Sequence, residues 1–417
     1  MLSLQSYLNA LGSLLSSSAS APRLFDKIPR VTVSGHETSP EKRDRTLKHL
    51  LKANHHNFSV LRKSCQLPND LPYALGSSYL LGATAEQLQE LYDSASTRLD
   101  AWENSPMEIS SHDWKDYLGE KSHQRAYLDF FEDELVTMGY NWRDVLTKYL
   151  LTGPNPLIHG MIGGFGYPLV HLGYAYELGS RELAMEALVL ATTNYDPLHR
   201  YLDGTFEETA VSGQPSLSGT QLSPQEILAQ LRHDSRFDNV LKISGLDIHI
   251  LFENAESAML EYCHKFSLED AETCLLEMAR TTVVLLCATF VTETPKYNFY
   301  RFQLLSVTYA VRTVLPELPA LYAPSLLRSY WMLIVSFYCL MLRPEMKPEL
   351  IDEVEISGTS WDVIVKKALG SGLGAGVKKG THYLEVVRIL RECANLWTSE
   401  DTFFLRAAVK ITSGFMS

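Results

Sequence analysis

Apolar residues recur along most of this chain at the three-to-four-residue spacing that turns one face of a helix inward. The segment PEKRDRTLKHLLK opens with Pro40 after Ser39, a good helix start, and predicts a helix over residues 40–52. Thr84 and Gln87 form a capping-box pattern that predicts a helix from about residue 85 to 98. YLDFFEDELVTMG reads as a helix stopped by Gly139, and Asn141 is placed to cap the next one, WRDVLTKYLL. RELAMEALVLATT, SPQEILAQLRH, LEDAETCLLEMARTTVVLLCATFV, LPALYAPSLLRSYWMLIVSFYCLML and THYLEVVRILRECANLW continue the series. Alternating strand-like patterns are few, VTVSG at 31–35 being the best, and neither βαβ alternation nor a repeat of 20–50 residues is present. The expectation is an all-α fold with few or no strands: an N-terminal arm or helix over residues 1–40, then a single large helical domain over 41–417. A polar, Gly/Ser/Thr-rich stretch near 203–222 reads as a long surface loop of that domain.

Charge and composition narrow the classes of function. With 37 basic and 49 acidic residues the formal charge is −12, which argues against a nucleic-acid surface. The six cysteines show no CxxC or zinc-like spacing, and several lie in apolar runs such as TTVVLLCATF, so buried free thiols in a reducing compartment are expected. The first residues, MLSLQSYLNALGSLLSSSASA, lack a positive n-region, and Gln5, Ser6 and Asn9 interrupt their apolar stretch. They read as an amphipathic helix or disordered arm rather than a secretory signal, and the location expected is cytoplasmic. The longest apolar run, Tyr330 to Leu342, has 13 residues. A membrane span needs about 20, so this run is expected to be a core helix. Apolar helices serve a homodimer or a core equally well, and the sequence leaves that open.

No GxGxxG stands in a βαβ context, and no GxSxG, HExxH or P-loop is present. GSGLGAG at 370–376 has no strand before it and two lysines after it, and reads as a flexible link before the final helix. An oxidative enzyme built on this chain would therefore carry no flavin or nicotinamide site of the usual kind. The densest unusual stretch, residues 153–178, holds six glycines, two histidines and three tyrosines. Its glycines allow backbone to approach a helix or a flat ligand closely. A helix starting near Pro168 would place His171 and Tyr174 on one face. His382 and Glu385 share a face at i and i+3; a metal pair, a base with its orienting acid and a surface salt link all fit, and spacing alone favours the last. His55 and His56 end a basic helix, where the C-terminal dipole suits them.

HGMIGGFGYPLVHLGYAYEL, with WKDYLG and LPYALGSSYLLGAT upstream and KYNFYRFQLLSVT and THYLEVVRIL downstream, resembles the questin oxidase-like family of fungal polyketide clusters. The likeness runs from about residue 65 to 395. It implies an all-helical oxygenase that opens or ring-expands anthraquinone-type substrates by Baeyer–Villiger-type chemistry without flavin motifs. Some members bind non-haem iron through histidines and a carboxylated lysine. This chain departs from the family's pattern, which reads roughly NHxxH before the first LG. Here that stretch is Asn69-Asp70-Leu71-Pro72-Tyr73; the histidine before the proline is Tyr167; the DF-x-x-x-H element becomes Asn298-Phe299 with Gln303; and H-x-x-K becomes His382 with Glu385. Of that set only His171 and His382 remain. An iron site would have to use His171, His382 and either Asp70 or Glu385, and the simpler expectation is a branch without metal.

Metal-free oxygenation needs an electron-rich substrate, because triplet oxygen reacts slowly with closed-shell molecules, and it needs a base in a dry pocket. The resemblance and the residues together assign His171 or His382 as base, oriented by Asp70 or Glu385, with Tyr73 and Tyr167 donating hydrogen bonds to substrate or peroxide oxygens. Phe165, Tyr174, Asn298, Phe299, Phe302 and Gln303 would wall a flat aromatic substrate. Molecular oxygen would be the co-substrate, and a separate NADPH-dependent quinone reductase would supply the reduced anthraquinone. A carrier that binds the polyketide without turning it over is the non-enzymatic alternative.

Overall fold

A computed structural model describes residues 28–62, 67–153, 156–202, 222–241, 247–268, 270–290, 296–370 and 382–416; of residues 290, 296–300 and 414–416 only the backbone is described. The helices run in order α1 (Lys42–Asn57), α2 (Leu71–Leu80), α3 (Ala85–Ser96), α4 (Gln124–Thr137), α5 (Trp142–Leu150), α6 (Tyr167–Leu178), α7 (Arg181–Thr193) and α8 (Pro224–Arg232). They continue with α9 (His249–Lys265), α10 (Ala271–Cys287), α11 (Lys296–Val314), α12 (Ala323–Leu340), α13 (Glu349–Asp352), α14 (Trp361–Gly370), α15 (His382–Leu396) and α16 (Asp401–Met416). Among the described residues the strands are two short antiparallel pairs, Leu61–Arg62 with Leu67–Pro68 and Thr289–Phe290 with Glu345–Met346. The fold is all-α, as the periodicity predicts.

At the centre lie α6 and α7. Every residue of α6 is buried, and so is α7 from Glu182 to Thr193. A helix buried on all sides needs neighbours all round. α11 packs along α6, α4 lies against α7, and α2 and α15 pack on each other beside α6 and α11. Gly173 permits the close approach of α11: a Cβ there would lie 3.1 Å from the Ala310 Cα. The run from Tyr330 onward forms the buried body of α12, and among the described residues no helix is long and apolar enough to cross a membrane.

Several local expectations change. Residues 31–35 form no strand; they run beside α6, tied by the Ser34 N–H donating to the Glu177 carbonyl at 2.9 Å. The capping box at Thr84 and Gln87 is present. Asn141 precedes α5, but its amide donates to the Asp144 carboxylate at 2.7 Å instead of capping backbone. α10 stops at Cys287 rather than continuing through ATFV, because Thr289–Phe290 pairs with Glu345–Met346. GSGLGAG follows a helix, α14, not a strand; its residues 371–376, the polar stretch 203–221 and the first 27 residues lie outside the described residues.

Candidate active site

The glycine-rich stretch ends in three successive left-handed residues: Gly164 (φ 56°), Phe165 (φ 64°) and Gly166 (φ 80°). Phe165 is strained there, because a Cβ crowds the backbone in this region. Gln303 from α11 holds the turn by donating its amide to the Phe165 carbonyl at 3.0 Å, and the Phe165 ring packs on Phe337. Gly163 is required for a different reason, since a Cβ would come within 2.0 Å of the Asn194 carbonyl oxygen. The turn lets α6 start at Tyr167 with Pro168 in its first turn, and Tyr167, His171 and Tyr174 then follow at i, i+4 and i+7 down one face.

That face meets α2. The Tyr73 hydroxyl and His171 Nδ1 share a hydrogen bond of 2.8 Å, and the Tyr73 ring stacks on Tyr174 with centroids 5.3 Å apart. His171 Nε2 lies 2.5 Å from Glu186 Oε2 on α7. The other oxygen of Glu186 is 2.8 Å from His55 Nδ1, and His55 Nε2 is 2.9 Å from Glu132 Oε1 at the protein surface. Burial alone would raise the Glu186 carboxyl, but its two imidazole partners outweigh burial and hold it at about 2. Burial likewise opposes charge on His55, yet Glu132 and Glu186 push it up to about 10. A hydrogen-bonded chain thus runs from a buried phenol through two histidines to an exposed acid.

Beyond Tyr73 lies a wall of acids and phenols. Burial pushes the Tyr73 and Tyr167 hydroxyls well above the ordinary phenol value; the charges of Asp70 and Glu385 push both the same way. Asp70 lies 3.5 Å from the Arg62 guanidinium. His382 Nδ1 is 3.6 Å from Glu385, and its ring stacks parallel to Phe302 at 6.1 Å. Burial opposes protonation of His382, but Glu385 and Asp70 outweigh it and raise its pKa. The Glu385 side chain is only 3% exposed, and its Oε1 is buried without a hydrogen-bond partner among the described residues. Beside it is a narrow gap of about 10 Å³ between Val170, Tyr174, Ser306 and Arg388, room for a single water. Arg388 spans the end of this layer, donating to Glu177 at 2.5 Å over the Tyr309 ring.

Asp70, Tyr73, Tyr167, His171, His382 and Glu385 therefore gather around one buried region. The carboxylate orienting His171 is Glu186, whereas Asp70 and Glu385 act on Tyr73 through their charges. The His382–Glu385 pair is no surface link, since Glu385 is buried. Tyr174 joins the region from the side, sharing a 2.6 Å hydrogen bond with Ser77. Phe165, its ring against Phe337, also lines a pocket of about 260 Å³ with Asn194, Tyr195 and His249. Asn298 and Phe299 fall in the first turn of α11, and their side chains lie outside the described residues. Sequence reasoning missed Glu186; it placed His55 at the end of a basic helix, where the structure has it, but did not foresee the buried ion pair that His55 makes there. The signal for Glu186 was present: a lone acid inside the apolar run AMEALVLA needs a partner when that helix is buried.

An iron site built on His171, His382 and a carboxylate does not fit these residues. Both ring nitrogens of His171 are engaged, by Tyr73 and Glu186, leaving no lone pair for a metal. Among the described residues no three His, Cys, Asp or Glu side chains are grouped to hold a metal ion. Residues 67–390, which include Asp70, Tyr73, Tyr167, His171, His382 and Glu385, match the profile of the questin oxidase-like family. The chain belongs to that family. Its similar relatives include Baeyer-Villiger oxidase AgnL3 of Paecilomyces divaricatus, 28% identical over 42% of this chain and 39% of that protein. Baeyer-Villiger oxidase mdpL of Emericella nidulans is 25% identical over 38% of this chain and 37% of the relative. Oxidoreductase AflY of Aspergillus parasiticus is 28% identical over 40% and 35%. This member of the questin oxidase-like family thus spans well under half the length of the curated relatives it matches.

Proposed function

We propose that this chain is an oxygen-dependent oxidoreductase that carries out Baeyer–Villiger-type oxidation of a reduced anthraquinone in polyketide biosynthesis. The observation that carries the reading is the acid and phenol wall, Asp70, Tyr73, Tyr167 and Glu385, gathered with His382 in an otherwise apolar helical core. Support comes also from family membership and from relatives named as Baeyer-Villiger oxidases.

In this reading the substrate is its own reductant. Loss of a phenolic proton makes the hydroquinone an electron donor good enough to reduce oxygen to a carbon-bound peroxide. Migration of a ring carbon to the near oxygen then expands the ring, and the far oxygen leaves as water. The two electrons come from the hydroquinone, so neither flavin nor metal enters a step. His382, part-exposed and paired with Glu385, is the base that touches substrate, and Phe302 lies against its ring. Tyr167 donates to the developing oxyanion, in a site dry enough to strengthen that bond. A separate reductase supplies the hydroquinone. The test is oxygen uptake by metal-stripped protein given chemically reduced anthraquinone. Turnover equal to that of untreated protein is expected; loss on stripping with recovery on adding iron refutes the metal-free route, and binding without oxygen uptake refutes the oxidase.

A further inference from the structure

The turn at Gly164, Phe165 and Gly166 borders the pocket of about 260 Å³. Buried Ile162, Leu198 and Ile248 line it together with half-buried Phe165 and Tyr195. Tyr195 is fixed in place: its ring packs on His199 with centroids 4.4 Å apart and lies so close over Gly160 that a Cβ there would be 2.9 Å away. Phe165 is held in its left-handed conformation by Gln303, and strained backbone of this kind clusters at ligand sites. An apolar cavity of about 150 Å³ holds benzene, so this pocket has room for two fused rings.

The polar groups of the pocket are few, and most are already engaged. Thr193 Oγ1 and Asn194 Nδ2 donate back to the Val189 and Leu190 carbonyls at 2.6 and 3.0 Å. Asp196 Oδ1 accepts the Leu198 N–H at 2.9 Å, and Asp247 Oδ1 accepts the His249 N–H at 2.9 Å. His249 Nε2 lies 3.1 Å from Asp196 Oδ2, which leaves Nδ1 without a partner among the described residues. Asp196 and Asp247 stand against Lys121 and His249, so the rim has no positive excess to draw a phosphate or a carboxylate. We propose that this pocket binds a neutral, flat aromatic whose hydroxyl or carbonyl oxygen hydrogen-bonds to His249 Nδ1. A bare Nδ1 accepts from a hydroxyl, and a protonated one donates to a hydroxyl or carbonyl oxygen. Only the identity of that aromatic with the oxidase substrate rests on the reading above.

The experiment titrates the full chain, carrying ¹³C-methyl isoleucine, with 1-naphthol and with naphthalene under argon, so that turnover cannot enter. The methyl signals of Ile162 and Ile248 should shift saturably with either probe. Naphthol should bind severalfold tighter than naphthalene, the effect of one added hydrogen bond. His249→Leu keeps the volume and removes the nitrogen, so the two probes should bind that variant alike. The shifts and the preference in the unsubstituted protein need no variant to be read. Absence of a saturable shift at Ile162 and Ile248, or a shift confined to Ile389 beside the gap at Glu385, overturns the proposal. Equal binding of the two probes by the unsubstituted protein, or a preference for naphthol kept in His249→Leu, overturns it as well. Oxygen uptake enters none of these readouts, so failure of the oxidase reading is recognised separately.

Discussion

Replacing Glu186 by glutamine should remove a large part of the protein's stability, and the loss should depend on pH in a defined way. The Glu186 carboxyl falls from an ordinary 4.5 to about 2 on folding. At about 1.4 kcal/mol per pH unit that is roughly 3 kcal/mol. His55 rises from 6.5 to about 10, roughly 5 kcal/mol by the same conversion. The two figures share the His55–Glu186 bond and do not add; Glu186 also bonds His171, and His55 also bonds Glu132. A lowered carboxyl contributes stability above its unfolded value and loses it as pH falls through about 2. A raised imidazole contributes fully below 6.5 and loses it as pH rises through about 10. The network is therefore strongest between about pH 4.5 and 6.5. Urea denaturation followed by tryptophan fluorescence should show Glu186→Gln less stable by about 3 kcal/mol at pH 6, with less than half that deficit at pH 10. Domains hold roughly 5–15 kcal/mol in total, so the variant still folds. A deficit under about 1 kcal/mol at pH 6, or one unchanged between pH 6 and 10, refutes the reasoning.

Arg388→Met should cost about 3–5 kcal/mol by stranding the buried Glu177 carboxylate. Adding Glu177→Gln should recover more than half of that loss, read as a double-mutant cycle in urea. Gly163→Ala should destabilise by at least 2 kcal/mol, since its Cβ meets the Asn194 backbone, whereas Gly139→Ala, with open space at φ +62°, should cost only about 1–2 kcal/mol; thermal melts compare the two. Glu385→Gln should move the rising limb of the pH–rate profile of oxygen uptake to lower pH, because Glu385 keeps His382 protonated above its ordinary value and a base works only once deprotonated. A limb that stays in place removes His382 from the role of base.

Helix-spaced apolar residues were enough to announce an all-α protein, and the capping box at Thr84 was readable because its two bonds join residues three apart. The same local logic marked residues 153–178, and it set Tyr167, His171 and Tyr174 on one face of α6. Strand pairing was less legible: Thr289–Phe290 leaves the helical pattern only because Glu345–Met346, far along the chain, offers it a partner.

The sequence by itself singled out candidates, since Asp70, Tyr73, Tyr167, His171, His382 and Glu385 stood out through their types and their family pattern. Tertiary structure alone decided which of them meet, and through which partners. Glu186 meets His171 and His55 because α6, α7 and α1 pack together, and the Tyr73–His171 contact spans 98 positions of chain. The periodicity of a helix tells which face turns inward, but not which helix that face will meet. Whether a histidine such as His55 caps a surface helix or bridges two buried acids depends on that meeting, because charge is tolerated in the core only where a partner from another element neutralises it.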